Sequence, residues 1–319
     1  MHNRIYLLPR RPLRRGLGPW TLATLLSLAL GVGLLQGQTS DELHQRFLNE
    51  APQRWQEYQT KIEQFDGTVT IITKVEGKLE NHTHIEYKHN SRCRLCLSQA
   101  LHGETLGGEL RAYNSLYSFY LLRKTANHPW RVVSLHLHKD NDVSEVVQEF
   151  QSGIILIPLR RAVRAGSLDL VALVQRPTFR VLRISPVKHQ GEDLVQIEFD
   201  NSHELVIPPK SAKEFDPIQG GSLLLDPNRY WCVRASEIRE KYNDVDTKSK
   251  IEVEFQDPSA KFPVPKRYVD SRDITRTTGE RLLRTYEIEY DLHEPSRLPP
   301  DKEFTLSAFG FPEPLGVSW

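Results

Sequence analysis

Apolar residues recur at Leu43, Phe47, Trp55, Tyr58, Ile62 and Phe65, a helical spacing that leaves one stripe to bury. Thr39, with Glu42 three residues on, has the form of a capping box, in which side chains satisfy the free donors at a helix start. Pro52 predicts a split into two helices, because proline has no amide to give inside one. From Asp66 the period changes to two. Val69 and Ile71 alternate with polar neighbours, and Val195, Ile197 and Phe199 do so against Gln196, Glu198 and Asp200. The same holds for Ile251, Val253 and Phe255, and for Tyr286, Ile288 and Tyr290. The stretch "FTLSAF" reads as a closing strand through Phe304, Leu306 and Ala308. Such alternation makes each strand dry on one face and wet on the other. Turn signals stand at Gly220 and Gly221, at 226–229 and at 277–280. Short connections of this kind join antiparallel neighbours. They predict a meander of about a dozen strands.

Between about Val143 and Gln175 the period returns to helical, with Ser167 as an N-cap and Pro177 as a stop. A large sheet with one dry face must bury it, and helices at the start and middle of the chain are the available cover. The expected class is therefore α+β: a large curved antiparallel sheet, a half-barrel, with helices across its concave face. One domain is expected over 38–310, with 311–319 as a C-terminal tail. The candidate ligand-binding lining is the dry face itself: Val195, Ile197, Phe199, Ile251, Val253, Phe255, Tyr286, Ile288 and Tyr290. Ligand pockets are mostly apolar with a few polar anchors, and the tyrosines would supply those.

The N-terminus changes the expected location. Five arginines between Arg4 and Arg15 precede the apolar run from Trp20 to Leu35, and no further charge appears before Asp41. This is the layout of a signal peptide over 1–37, or of an uncleaved signal anchor contacting the membrane. Either one exports the remainder to the periplasm or to the outer face of the cytoplasmic membrane. The formal net charge is +1, and no basic patch lies outside the signal, so nucleic acid is not an expected partner. Three cysteines are too few for a disulfide scaffold.

Candidate chemistry is concentrated in "NHTHIEYKHNSRCRLC", residues 81–96. On a strand His82 and His84 share the wet face of Glu86 and Lys88, while Ile85, Tyr87 and His89 take the other. His136 and His138 form a second such pair, and the two pairs would make a metal site only if their strands were neighbours. Cys93 and Cys96 on an extended strand point to opposite faces, too far apart for a disulfide. Cys232, beside Trp231, reads as a packed thiol or a partner of one of them. The sequence holds no nucleophile elbow, Walker loop or HExxH motif. No catalytic residue, metal site or cofactor is expected.

Two phrases, "GGSLLLDPNRYWCVRASEI" (220–238) and "KEFTLSAFGFPEP" (302–314), are similar to segments of uncharacterised exported bacterial proteins. The layout from Asp41 to Phe309 resembles the LolA/LppX group, periplasmic carriers of lipoproteins and lipids. That resemblance implies acyl chains held between the concave sheet face and its covering helices. It is one of topology: no binding motif of the carriers matches, and no functional residue is carried over. The expected function is an exported non-enzymatic binding protein holding an apolar ligand, a lipid or a lipoprotein acyl chain. The alternatives are a membrane-anchored envelope sensor that binds a partner protein, and a metal- or thiol-dependent enzyme.

Overall fold

The structure is a computed structural model and describes residues 39–102, 107–138, 144–202, 218–257 and 259–317. The expected signal segment, 1–37, lies outside these. Helix α1 (Ser40–Ile62) runs unbroken through Pro52, against the expected split. The helix buries Leu43, Phe47, Ala51, Trp55, Tyr58 and Ile62 along one stripe, and that burial on both sides of the proline outweighs the roughly 3 kcal/mol it costs. The carbonyl it frees belongs to Leu48, an exposed residue, where water can replace the lost amide.

Six strands follow: β1 (Asp66–Val75), β2 (Lys78–His89), β3 (Arg94–Ala100), β4 (Gly108–Tyr113), β5 (Tyr117–Arg123) and β6 (Arg131–Leu137). A mid-chain insert comes next. It holds α2 (Glu145–Ser152), a run of turns, a 3-10 turn (Arg161–Val163), the two-residue strands β7 (Arg164–Ala165) and β8 (Leu168–Asp169), and α3 (Leu170–Val174). The sheet resumes with β9 (Arg180–His189), β10 (Glu192–Asp200), β11 (Ile218–Asp226), β12 (Cys232–Tyr242), β13 (Val245–Phe255), β14 (Pro265–Arg276) and β15 (Arg281–His293).

Thirteen of these strands form one open antiparallel sheet in the order β6-β5-β4-β3-β2-β1-β15-β14-β13-β12-β11-β10-β9. Each meander neighbours itself in sequence order, and the two meanders join where β1 pairs with β15. Val69 stands opposite both Ile85 and Tyr290 across that seam. The fold is thus α+β, as the alternation predicts, with β6 and β9 left as edges.

The insert is less helical than its sequence period suggests. Ser144 caps α2, its hydroxyl accepting from the Val147 amide. Ser167 is not an N-cap; Asp169 occupies that place for α3. Ser167 instead sits in the β7–β8 turn, donating from amide and hydroxyl to Glu240. Gly220 and Gly221 are not a turn either. They lie inside β11 at φ 151° and 156°, where a Cβ on Gly221 would come 2.0 Å from the Glu237 carbonyl oxygen.

The two sheet faces carry different covers. The inner face meets α1 and the insert. The outer face of β3–β5 is covered by the C-terminal segment, and "FTLSAF" is not a strand but two 3-10 turns, Asp301–Phe304 and Leu306–Phe309. Phe304 and Leu306 pack with Leu95, Leu110, Ala112, Phe119 and Leu121, with Phe309, Phe311 and Val317 against the same cluster. The period of two is not kept there: Phe304, Thr305 and Leu306 are buried in succession while Ala308 is exposed.

Candidate binding face

The residues expected to line a ligand site do share the inner face. Ile184, Ile197, Leu223 and Ser236 follow one another across β9–β12, then Ile251 and Asp270 on β13 and β14. Val253, Tyr268, Ile288 and Ile71 form the adjacent row. Val195, Ile197, Phe199, Ile251, Val253, Phe255, Ile288 and Tyr290 are all buried, and Tyr286 is half-buried.

These side chains are packed rather than lining an open hollow. Phe179 stacks on Phe199 at 5.4 Å, and the Arg229 and Arg234 guanidiniums lie over the Phe255 ring at 5.7 and 5.2 Å. Beneath the insert, a space bounded by Phe65, Tyr87, Arg94, Phe150, Leu156 and Leu159 has about 10 Å³, barely enough for one water. The chain fills this trough itself.

The filling segment is residues 153–160. It begins at Gly153, in a left-handed conformation at φ 74°, and is held by its backbone. The Tyr87 hydroxyl donates to the Ile155 carbonyl at 3.0 Å, and the Tyr290 hydroxyl to the Pro158 carbonyl at 2.9 Å. Leu156 and Leu159 are buried while Ile154 is exposed. Arg160 pairs with Glu63 just past the end of α1. Burial pushes the phenols of Tyr87 and Tyr290 well up, so both remain donors.

The histidine and cysteine stretch resolves into separate surroundings. His82 and His84 lie on β2, His136 and the strand leading to His138 on β6, and three strands stand between. The two pairs do not meet. His89 turns to Asp66, its Nδ1 3.0 Å from Oδ1. Among the described residues no group of three or more histidine, cysteine or acidic side chains is placed to hold a metal ion. All three cysteines are free and buried. Cys93 belongs to the outer cluster with Phe304, whereas Cys96 stands opposite Tyr87 on the inner side. Burial pushes the Cys93 thiol up to about 11 and Cys96 to about 12, and holds Cys232 well above the usual thiol range. None is a thiolate near neutral pH.

One part of the inner face is polar. Ser236, Ser249, Tyr268 and Asp270 are buried, in phase with the apolar residues of their strands. The sequence signal was present: Ser249 sits two residues before Ile251, and Asp270 two after Tyr268. A reading that follows only apolar positions passes over them.

No protein-family model matches this chain, and no curated protein sequence matches it. Among solved structures it is similar to a conserved protein of unknown function with a hot dog fold from Alicyclobacillus acidocaldarius. The identity is 8%, over 71% of this chain and 78% of that one, with a TM-score of 0.13. Likeness at that level carries no argument about fold or function. Among the described residues no helix is long and apolar enough to cross a membrane, which leaves strands untested.

Proposed function

We propose that this chain is an exported, non-enzymatic binding protein of the LolA/LppX kind, holding an apolar ligand between the inner sheet face and the insert. The observation that carries this reading is the way the face is roofed. Residues 153–160 cover it without being a helix, tied down by two tyrosine hydroxyls that bond to backbone carbonyls. Each such bond contributes only about 1 kcal/mol net, so an acyl chain that replaces Leu156 and Leu159 repays the exchange by its own burial. In the ligand-free state the segment occupies the ligand's place.

Two measurements test this. Purified protein is extracted with organic solvent and the extract analysed by mass spectrometry, and stripped protein is titrated with a fluorescent fatty acid. A co-purifying lipid or saturable uptake is expected. A clean protein that takes up no fatty acid overturns the reading.

A second reading, an envelope module that binds a protein partner, draws on edge strand β6. Val132, Val133, Leu135 and Leu137 are exposed there, without the proline and repeated basic residues that shield the β9 edge (Arg180, Arg183, Pro186, Lys188). A Val133→Lys variant that keeps fatty-acid uptake but loses an interaction in envelope extracts would favour it. Unchanged co-purification profiles would count against it.

A further inference from the structure

The polar part of the inner face lies beneath the insert. Ser236, Ser249, Tyr268 and Asp270 are each at most 4% exposed. Yet the three hydroxyls and Asp270 Oδ1 have no hydrogen-bond partner. The register brings them together: Ile251 stands opposite both Ser236 and Asp270, and Ser249 opposite Arg272. Arg272 occupies only the other oxygen of Asp270, Oδ2, through Nε at 2.8 Å and a terminal nitrogen at 2.7 Å.

The cover here is the 3-10 turn, packed on β12 and β14, and strand β7, packed on β12. The turn sets the Arg161 guanidinium 5.4 Å over the Tyr268 ring. Nε of both Arg161 and Arg164 is likewise buried and unpaired. The hairpin is latched from outside by Ser167, whose amide and hydroxyl reach Glu240 Oε1 at 3.2 and 2.9 Å. Gly166 lies so close to that carboxylate that a Cβ would meet it at 2.5 Å.

Buried donors and acceptors are nearly always paired, and leaving one unpaired is costly. So many within one cluster mark a place built for a polar occupant. An apolar tail would leave every one of these atoms unpaired. A bare anion would satisfy Arg161 but be repelled by the free oxygen of Asp270, which needs a donor. A hydroxyl both donates and accepts.

We propose that this floor receives a polyol group, the vicinal hydroxyls of a sugar or glycerol moiety, once the β7–β8 hairpin lifts. One ligand hydroxyl donates to Asp270 Oδ1. Ser249 and Tyr268 bond to its neighbour, and Arg161 donates from above. The inference rests on the apolar-ligand reading: the polyol is the head of a molecule whose tail displaces residues 153–160.

Calorimetric titration of the full chain tests it with four probes: octyl glucoside below its micellar concentration, 1-octanol, octyl phosphate and methyl glucoside. Octyl glucoside is expected to bind at least about tenfold more tightly than octanol, because octanol's single hydroxyl leaves most of the polar atoms of a site built for vicinal hydroxyls unpaired. Asp270→Asn, which replaces the free acceptor by an amide, should reduce that preference and leave octanol binding unchanged. Ser249→Ala, which removes an unpaired hydroxyl and so keeps the fold, should reduce it. Binding of methyl glucoside with the same sensitivity supports the polyol site and makes a free sugar its ligand. Octanol binding with no glucoside preference, or a preference for octyl phosphate, overturns the polyol inference and leaves the apolar reading standing. If no octyl compound binds, the apolar reading fails as well, and only methyl glucoside binding would sustain the site.

Discussion

Trp55 on α1 donates its indole N–H to the backbone carbonyl of Trp231, 2.8 Å away and wholly buried. The carbonyl points that way because Tyr230 and Trp231 are both left-handed, at φ 57° and 54°, an uncommon state for two bulky residues in succession. Phe47 packs on both indoles, at 5.9 and 5.7 Å, and Asp226 and Glu192 hold Arg229 at the head of the same turn. One bond thus ties the first helix to the β11–β12 turn of the second meander. Trp55→Phe keeps an aromatic ring but removes the donor and part of the packing, leaving a buried carbonyl unpaired. The expected loss is ~1–3 kcal/mol, read as a lower urea midpoint with an unchanged slope.

The C-terminal segment should be as much a part of the fold as any strand. Tyr117 accepts from the Leu306 amide at 2.8 Å and donates to Glu313 at 2.5 Å. Asn114 donates to the Phe304 carbonyl and Asn90 to the Pro299 carbonyl and Asp301. Phe304→Ala is expected to cost about 3–5 kcal/mol, the usual range for a buried aromatic ring. Tyr117→Phe should lose less, yet make the tail susceptible to carboxypeptidase while urea unfolding shifts only modestly. A tail already digested in the unaltered protein would contradict this.

How far the sequence discloses this architecture depends on which force decides each element. Strands β10, β13 and β15 were legible because Ile197, Val253 and Ile288 face a core while their neighbours face water, and strict alternation follows from that alone. Helix α1 was legible as an apolar stripe, but its continuity through Pro52 was not, since burial in the assembled fold overrides a local penalty. The insert misled because Leu156, Leu159 and Leu170 have helical spacing whether or not the chain between them is helical. The pairing of β1 with β15 joins residues more than two hundred apart and leaves no local mark. The polar floor was visible as Ser249 and Asp270 in inward phase. Its unpaired state becomes apparent only once Arg161 and Arg164 are seen above it.

The thiols give a pH dependence with a definite sign. Burial raises Cys93 to about 11 and Cys96 to about 12 from an ordinary value of 9.0. A folded-state value above the unfolded one means that the native protein holds the proton more tightly. The associated stability is complete below pH 9.0 and is lost as pH rises through the folded values. Urea midpoints should therefore fall between pH 9.0 and about 12, less steeply in Cys96→Ala. At pH 8 a disulfide exchange reagent should react with the three buried thiols only slowly, and all at once after unfolding.

Tyr87 and Tyr290 give the sharpest test of whether residues 153–160 are a displaceable plug or a fixed part of the core. Each phenol contributes one hydrogen bond to that segment, so Tyr87→Phe and Tyr290→Phe should each cost only about 1 kcal/mol globally. The local effect should be larger, because opening of a segment depends on its own few contacts rather than on the whole fold. The double variant is expected to exchange the amides of Leu156 and Leu159 at least about tenfold faster while those of β13 and β14 stay protected. If the segment is the plug, the same variant takes up fluorescent fatty acid faster, since the closed form competes less well with the ligand. Faster exchange without faster uptake would mean that the segment opens but leaves no place for an acyl chain. Uniform exchange across segment and sheet would mean that the two unfold together, and the trough would then be core throughout.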